Sequence, residues 1–394
     1  MTWKTTPIGT VIRTSQYGLS LLADPAGGIP IVGMKDIQDG RVRIDPEVRV
    51  TLTDEDAEPY LLKDGDILLN RTNSPDLVGK AGIYRGDGKA VFASYLVRLE
   101  LDQTQVDPDF IIQILASEGG QRRIRQLATR AVSQANLNPT TFKNHFLIPI
   151  PPLKEQVGIR DVLMAWDTAI ETTERLIAAK ERFHRWLQQR LIEQRAARHH
   201  WETQELGGLI RERSERSIQH DEYPVLTSSR RGLFLQSEYF SKQVTSEDNT
   251  GYKIMRRGDF TFRSMSDDGR FVFNRLEKYD TGIISPAYGV FYAEGVSPEF
   301  LAHYLNSSYF AQLLARETQG GTRKALRFSA LAGMEVDLPK RTDQERIASI
   351  LDNSRREIGL LQTRLEMLRR QKRGLMQKLL TGQWRLPVSN EGQS

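Results

Sequence analysis

The 394-residue sequence contains no cysteine. That excludes disulfides, thiolate nucleophiles and cysteine-ligated zinc, and it fits a reducing compartment. No run approaches the roughly eighteen consecutive apolar residues of a transmembrane helix. The opening Met1-Thr2-Trp3-Lys4-Thr5-Thr6 lacks the apolar centre of a signal peptide, so the expectation is a cytoplasmic protein with no membrane partner. The histidines (His145, His184, His199, His200, His220 and His303) form no ligand pair at helical spacing, which argues against a metal site. Asp267-Asp268 reads as a turn between strands. A phosphate loop is missing too: Gly86-Asp87-Gly88-Lys89 is followed by Ala90 where Ser or Thr must hold magnesium, and Ile83 stands where the first glycine belongs. An adenine methyltransferase would need a glycine-rich cofactor loop and an Asn/Asp-Pro-Pro-aromatic motif. Asn138-Pro139-Thr140-Thr141-Phe142 lacks the second proline. No catalytic constellation emerges.

What is present begins with charge. A net charge of +5 and 27% charged residues describe a globular chain with a mild preference for a polyanionic partner. Distribution says more than the total. Arginines cluster at Arg122-Arg123-Ile124-Arg125, at Arg211, Arg213 and Arg216, at Arg230-Arg231, and at Arg323-Lys324 with Arg327, where they could meet a phosphate backbone.

The chain is also written twice. Trp3 to Gly9 recurs as Trp201 to Gly207, an offset of 198. Gly65-Asp66-Ile67-Leu68-Leu69 recurs as Gly258-Asp259-Phe260-Thr261-Phe262 at 193, and Val106-Asp107-Pro108-Asp109-Phe110 as Val296-Ser297-Pro298-Glu299-Phe300 at 190. Pro151 through Ile192 then matches Pro339 through Leu380 at 188, with Glu155-Gln156 facing Asp343-Gln344. One offset held over about forty residues is what a continuous helix demands, because a single insertion rotates every later side chain by about 100°.

Each half divides in two. The first part reads as mixed α and β: short apolar strands follow the Gly-Asp turns, and further strands are expected at 90–93, 95–99 and 290–292. Helical spacing runs from Pro108 to Leu127 and from Pro298 to Thr318. The second part is one long helix. Ile159, Leu163, Trp166, Ile170, Ile177, Leu187 and Leu191 mark a heptad seam, as do Ile347, Leu351, Ile358, Leu361, Leu365, Leu368, Leu375 and Leu379. Helices of roughly 60 Å at 1.5 Å per residue are too long to be covered by one small domain, so they are expected to pack on each other. Gly382 closes the second.

Ile148-Pro149-Ile150-Pro151-Pro152-Leu153-Lys154-Glu155-Gln156, leading into the long helix, resembles the junction between recognition domain and conserved region in specificity (S) subunits of type I restriction–modification systems. Gln371 to Gly382 resembles that family's second conserved region, and the 65–69 and 258–262 segments are similar to a recurring strand of its recognition domains. The resemblance covers essentially the whole chain. Two departures are Lys340-Arg341-Thr342-Asp343-Gln344, where the family has Pro-Leu-x-Glu-Gln more often, and Phe183-His184-Arg185-Trp186, where helix two keeps Gln-Lys-Arg-Gly.

The resemblance implies an α+β fold of two pseudo-repeated mixed α/β target-recognition domains joined by two long antiparallel coiled-coil helices. The expected domains are residues 1–147, recognition domain 1; 148–198, the first conserved helix; 199–336, recognition domain 2; 337–383, the second conserved helix; and 384–394, a tail. It further implies a non-catalytic subunit that reads a bipartite, asymmetric site in double-stranded DNA, with the helices as a ruler for the gap. Methyltransferase (M) and restriction/translocase (R) subunits would be its partners. No cofactor is expected in this chain; S-adenosylmethionine, ATP and magnesium would sit on the partners. On the residues alone two alternatives stay open: a stand-alone DNA methyltransferase or nuclease with a degenerate site, and a coiled-coil assembly protein.

Base edges in the major groove are read best by Arg on guanine and by Asn or Gln on adenine. Candidates are therefore polar residues just beyond strands or in glycine-rich loops. In the first half these are Asn70, Arg71, Thr72 and Asn73, with Arg130, Ser133, Gln134, Asn136 and Asn138. In the second they are Arg230, Arg231, Arg263, Ser264, Arg270, Thr322, Arg323, Lys324 and Arg327. Any single arginine is more apt to meet a phosphate than a base.

Overall fold

A computed structural model describes residues 3–24, 26–86, 88–130, 134–194, 201–239, 248–317 and 324–386. The chain forms two compact units, residues 1–173 with 364–394, and residues 174–363. Each unit therefore takes one mixed α/β domain together with part of both long helices.

Unit 1 is built on a six-stranded sheet that runs, from one edge, Ile12–Tyr17, Leu96–Leu101, Ile67–Asn70 and Ala81–Ile83 in that order, these neighbours antiparallel. The corresponding sheet of unit 2 runs Ile210–Glu212, Tyr288–Ala293, Phe260–Arg263 and Asn274–Arg275, also antiparallel. The strands after the two Gly-Asp turns thus occupy equivalent central places. Their sequences explain why. Gly65 and Gly258 sit at φ +90° and +94°, a region that favours glycine. The next aspartate closes the turn by accepting the backbone N–H three residues back, Lys63 to Asp66 at 2.8 Å and Arg256 to Asp259 at 2.7 Å. Both carboxylates are buried beside an arginine: Arg98 lies 3.8 Å from Asp66, and Arg213 grips Asp259 with two bonds.

The stretches with unbroken helical spacing are each two helices. Pro108–Ala116 and Glu118–Leu127 are separated by Ser117, which is extended at φ −61° and ψ 153°. Its Oγ donates to the Ile114 carbonyl at 2.7 Å and accepts from Gly120 N–H at 2.9 Å. Ser307 repeats the device between Pro298–Tyr304 and Ser308–Glu317, donating to Tyr304 O at 2.6 Å and accepting from Phe310 N–H at 3.1 Å. A hydroxyl that serves both helix ends offers the backbone an alternative to continuing.

The long helices are Leu153–Gln188, extended by a π-helical turn at Gln189–Glu193, and Arg341–Leu379. They run antiparallel within each unit. In unit 1 Lys372 pairs with Asp167, and Leu163 shares a core with Leu379. In unit 2 Lys180 meets Glu357 at 2.7 Å, and His184 Nδ1 lies 3.2 Å from Ser354 Oγ. The turn after the second helix carries Gly382, whose φ of +72° favours glycine and where a side chain would crowd the Trp3 ring.

Each helix is fastened to its domain by the glutamine of the repeated Glu-Gln/Asp-Gln pair. Gln156 is fully buried: its Oε1 accepts the Asp107 N–H at 2.9 Å, and its Nε2 donates to Gln105 O at 3.0 Å and Pro151 O at 2.9 Å. Gln344 likewise accepts from Ser297 N–H and donates to Pro339 O, both at 2.9 Å. Asp107 and Ser297 are themselves N-caps of the following helices. The glutamine therefore joins the start of a long helix to the start of a domain helix.

Candidate nucleic-acid interface

In unit 1 two candidate clusters far apart in sequence converge. Thr72–Asn73, Ala135–Asn136 and Thr129–Arg130 form a small antiparallel sheet in the register Thr72 to Asn136 and Thr129 to Asn136. Beside it lies a cleft of about 440 Å³ lined by Tyr17, Arg71, Thr72, Gln134, Asn136 and Asn138, among others. Gln134, Asn136 and Asn138 are exposed; Arg71, Thr72 and Asn73 are half-buried. Thr72 Oγ1 lies 3.4 Å from Asn136 Oδ1. Asn138 also works locally as the N-cap of Pro139–His145, its Oδ1 accepting from Thr140 and Thr141.

Asn70 takes no part in that surface. Its side chain is 0% exposed at the end of a strand buried on both faces, and neither amide atom has a hydrogen-bond partner among the described residues. Tyr17 escaped the sequence reading, yet its half-exposed ring lines the cleft with the Arg71 guanidinium 5.0 Å from its centroid. Its signal was modest: an aromatic ending a polar strand before Gly18.

Unit 2 repeats the scaffold with other side chains. Met265–Ser266 pairs with Lys324–Ala325, and Ser264 O accepts from Leu326 N–H as Arg71 O accepts from Leu137 N–H. This equivalence places Ser264 where unit 1 has Arg71, and Arg327 where it has Asn138. Arg263, Arg270 and Arg327 are exposed around this ladder. Arg230, in the turn of a hairpin, reaches Asp268 at 2.5 Å, and this bond is the first cause holding the Asp268 carboxyl down at about 2. Arg231 stands over the Tyr239 ring at 5.0 Å. Thr322, Arg323 and Ser133 lie outside the described residues, as do the side chains of Arg130 and Lys324.

Two basic clusters are partly structural. Arg123 donates to Leu147 O at 2.7 Å and lies over the Phe146 ring, and Arg213 is committed to Asp259. No helix among the described residues is long and apolar enough to cross a membrane.

The model of the type I restriction modification DNA specificity domain matches the chain twice, over residues 2–181 and 200–370. The chain belongs to this family. It is a specificity subunit, a non-catalytic DNA-recognition chain of a restriction–modification system that works with other subunits and DNA. A Methanocaldococcus jannaschii protein with the provisional name type I restriction enzyme MjaX specificity subunit is 24% identical, the match covering 98% of this chain and 94% of that one. The type I restriction enzyme StySPI specificity subunit of Salmonella potsdam is 30% identical over 40% of this chain and 34% of its own length. Among solved structures, the type I restriction-modification S subunit from M. genitalium has a TM-score of 0.57 at 14% identity, covering 96% of both chains. The two family matches coincide with the two halves of the internal repeat, and the α+β layout is that of the family's specificity subunits.

Proposed function

We propose that the chain reads a bipartite, asymmetric DNA site, one half-site per unit, with the two long helices setting the unspecified gap. The observation that carries this reading is the duplicated small ladder. In unit 1 it gathers polar side chains from residues 71–73 and 134–138; in unit 2 it is surrounded by Arg263, Arg270 and Arg327. Corresponding backbone ladders bearing different side chains suit two different base sequences. The helix lengths of 36 and 39 residues support a fixed spacing, since adding one turn would shift an attachment point by about 5.4 Å.

The partners in this reading are methyltransferase subunits, docked against the helices and recognition domains, and translocating restriction subunits recruited for cleavage. S-adenosylmethionine, ATP and magnesium belong to those partners. Exchanging residues 1–147 for the matching domain of a relative tests the scheme. Footprinting should then show one half-site changed, with the other half and the gap retained. A change in both halves refutes modular reading, and robust methylation or cleavage by the purified chain alone refutes the non-catalytic role. Affinity should fall steeply with salt where phosphate contacts dominate.

A further inference from the structure

Arg71 lines the unit 1 cleft with a guanidinium whose donor geometry is fixed before any ligand arrives. Its backbone is pinned on both sides, N–H to Tyr95 O at 3.0 Å and C=O from Leu137 N–H at 2.7 Å. Its Nε donates to Ser94 O at 3.2 Å. The guanidinium stands 5.0 Å from the centre of the Tyr17 ring, an arrangement in which the ring face attracts the cation. With Nε occupied, the two Nη groups remain, and neither has a hydrogen-bond partner among the described residues. No acidic side chain is paired with Arg71 among them either, in contrast to Arg230 and Arg213 of unit 2.

A planar fork held from behind, with two parallel donors left open, matches the paired acceptors O6 and N7 of guanine in the major groove. We propose that Arg71 is the guanine-reading residue of the first half-site, and that Tyr17 is its positioning residue. Little ordering entropy is lost on binding, because the side chain is already held by Ser94 and Tyr17. The position is private to one half of the repeat: its backbone equivalent in unit 2 is Ser264, which cannot present such a fork. Only one half-site should therefore depend on it. The inference rests on the proposed reading of a bipartite site.

Selection of duplexes from a randomised library by the full-length chain tests both. The selected site should contain a guanine in one half whose preference, roughly 5- to 150-fold over other bases, disappears in R71Q while the other half-site is retained. Tyr17→Leu should weaken preference at that same position, and Tyr17→Phe, which keeps the ring, should preserve it. With the unaltered chain, replacing that guanine by 7-deazaguanine removes N7 and should weaken binding at least about 5-fold, whereas hypoxanthine keeps N7 and O6 and should bind normally. These modified bases decide the matter even should R71Q fold poorly. If R71Q lowers affinity equally on all sequences, or if 7-deazaguanine at every guanine of the site is without effect, Arg71 contacts phosphate or nothing and the inference is overturned. A bipartite consensus that survives R71Q unchanged overturns the inference alone; failure to select any consensus overturns the proposed reading as well.

Discussion

Replacing Gln156 by leucine should loosen the join between the first long helix and its domain. Leucine fills much of the same volume, so the loss is chiefly polar. Three bonds vanish: from Asp107 N–H at 2.9 Å, to Pro151 O at 2.9 Å and to Gln105 O at 3.0 Å. Gln105 is an exposed residue, so its carbonyl can find water. The Asp107 N–H and the Pro151 carbonyl are buried and cannot, and each such orphan costs about 1–3 kcal/mol. Burying leucine in place of an amide returns roughly 1–2 kcal/mol. The net expectation is a destabilisation of about 1–4 kcal/mol.

Two units need not unfold together, so a single urea curve would blur the effect. Amide exchange of residues 105–112 reads it locally. Opening at the helix N-terminus should become about 5- to 900-fold more frequent, with little change in peptides of unit 2. Gln344→Leu should produce the mirror result around Ser297, with a similar cost, since its two bonds at 2.9 Å are also buried. A loss under about 0.5 kcal/mol, or exchange in Gln156→Leu that is unchanged near Asp107, would refute the assignment of a fastening role.

Asn70→Leu should leave stability unchanged or raise it by about 1–2 kcal/mol in urea titrations, because it removes a buried amide without partners; the selected DNA consensus should not change. His303 is held below the ordinary histidine range, first by burial; the hydrogen bond to Asp352 at 2.8 Å opposes this, and Arg355 and His184 reinforce it. The unfolded chain therefore takes up its proton first, and unit 2 should lose stability as pH falls below about 6.5, by up to about 1.4 kcal/mol per pH unit for each such histidine. Urea midpoints at pH 8 and pH 5.5 should converge in His303→Gln, and an unaltered pH dependence there would contradict this. Leu361→Pro, placed inside the continuous helix Arg341–Leu379, should cost about 3 kcal/mol or more and lower helical circular dichroism.

Features with a local cause were legible in the sequence. The helices show because Leu163 and Leu351, or Leu191 and Leu379, recur in one register, and the central strands show because Gly-Asp turns precede short apolar runs. Features that depend on distant partners were not. Ser117 looks like an ordinary helix residue until its hydroxyl is seen serving two helix ends. Asn70 looks like the start of an exposed polar turn, but it continues a strand covered on both faces, where the usual alternation of buried and exposed residues fails. The convergence of residues 71–73 with 134–138 is a non-local pairing that no spacing rule reports.

The same distinction explains how this fold tolerates divergence in its readers. Arg71 and Ser264 are unlike as side chains, yet each accepts one backbone N–H, from Leu137 and Leu326, and so holds the same place in the ladder. Asn138 and Arg327 both precede the short helix that follows, one with a side-chain cap and the other without. At these positions the backbone bond holds the ladder whichever side chain is present. At Gln156 and Gln344 the architecture uses the side chain, and there the residue is the same in both halves. A position fixed by its side chain resists change, whereas one fixed by its backbone can acquire a new base preference while the ladder stays intact.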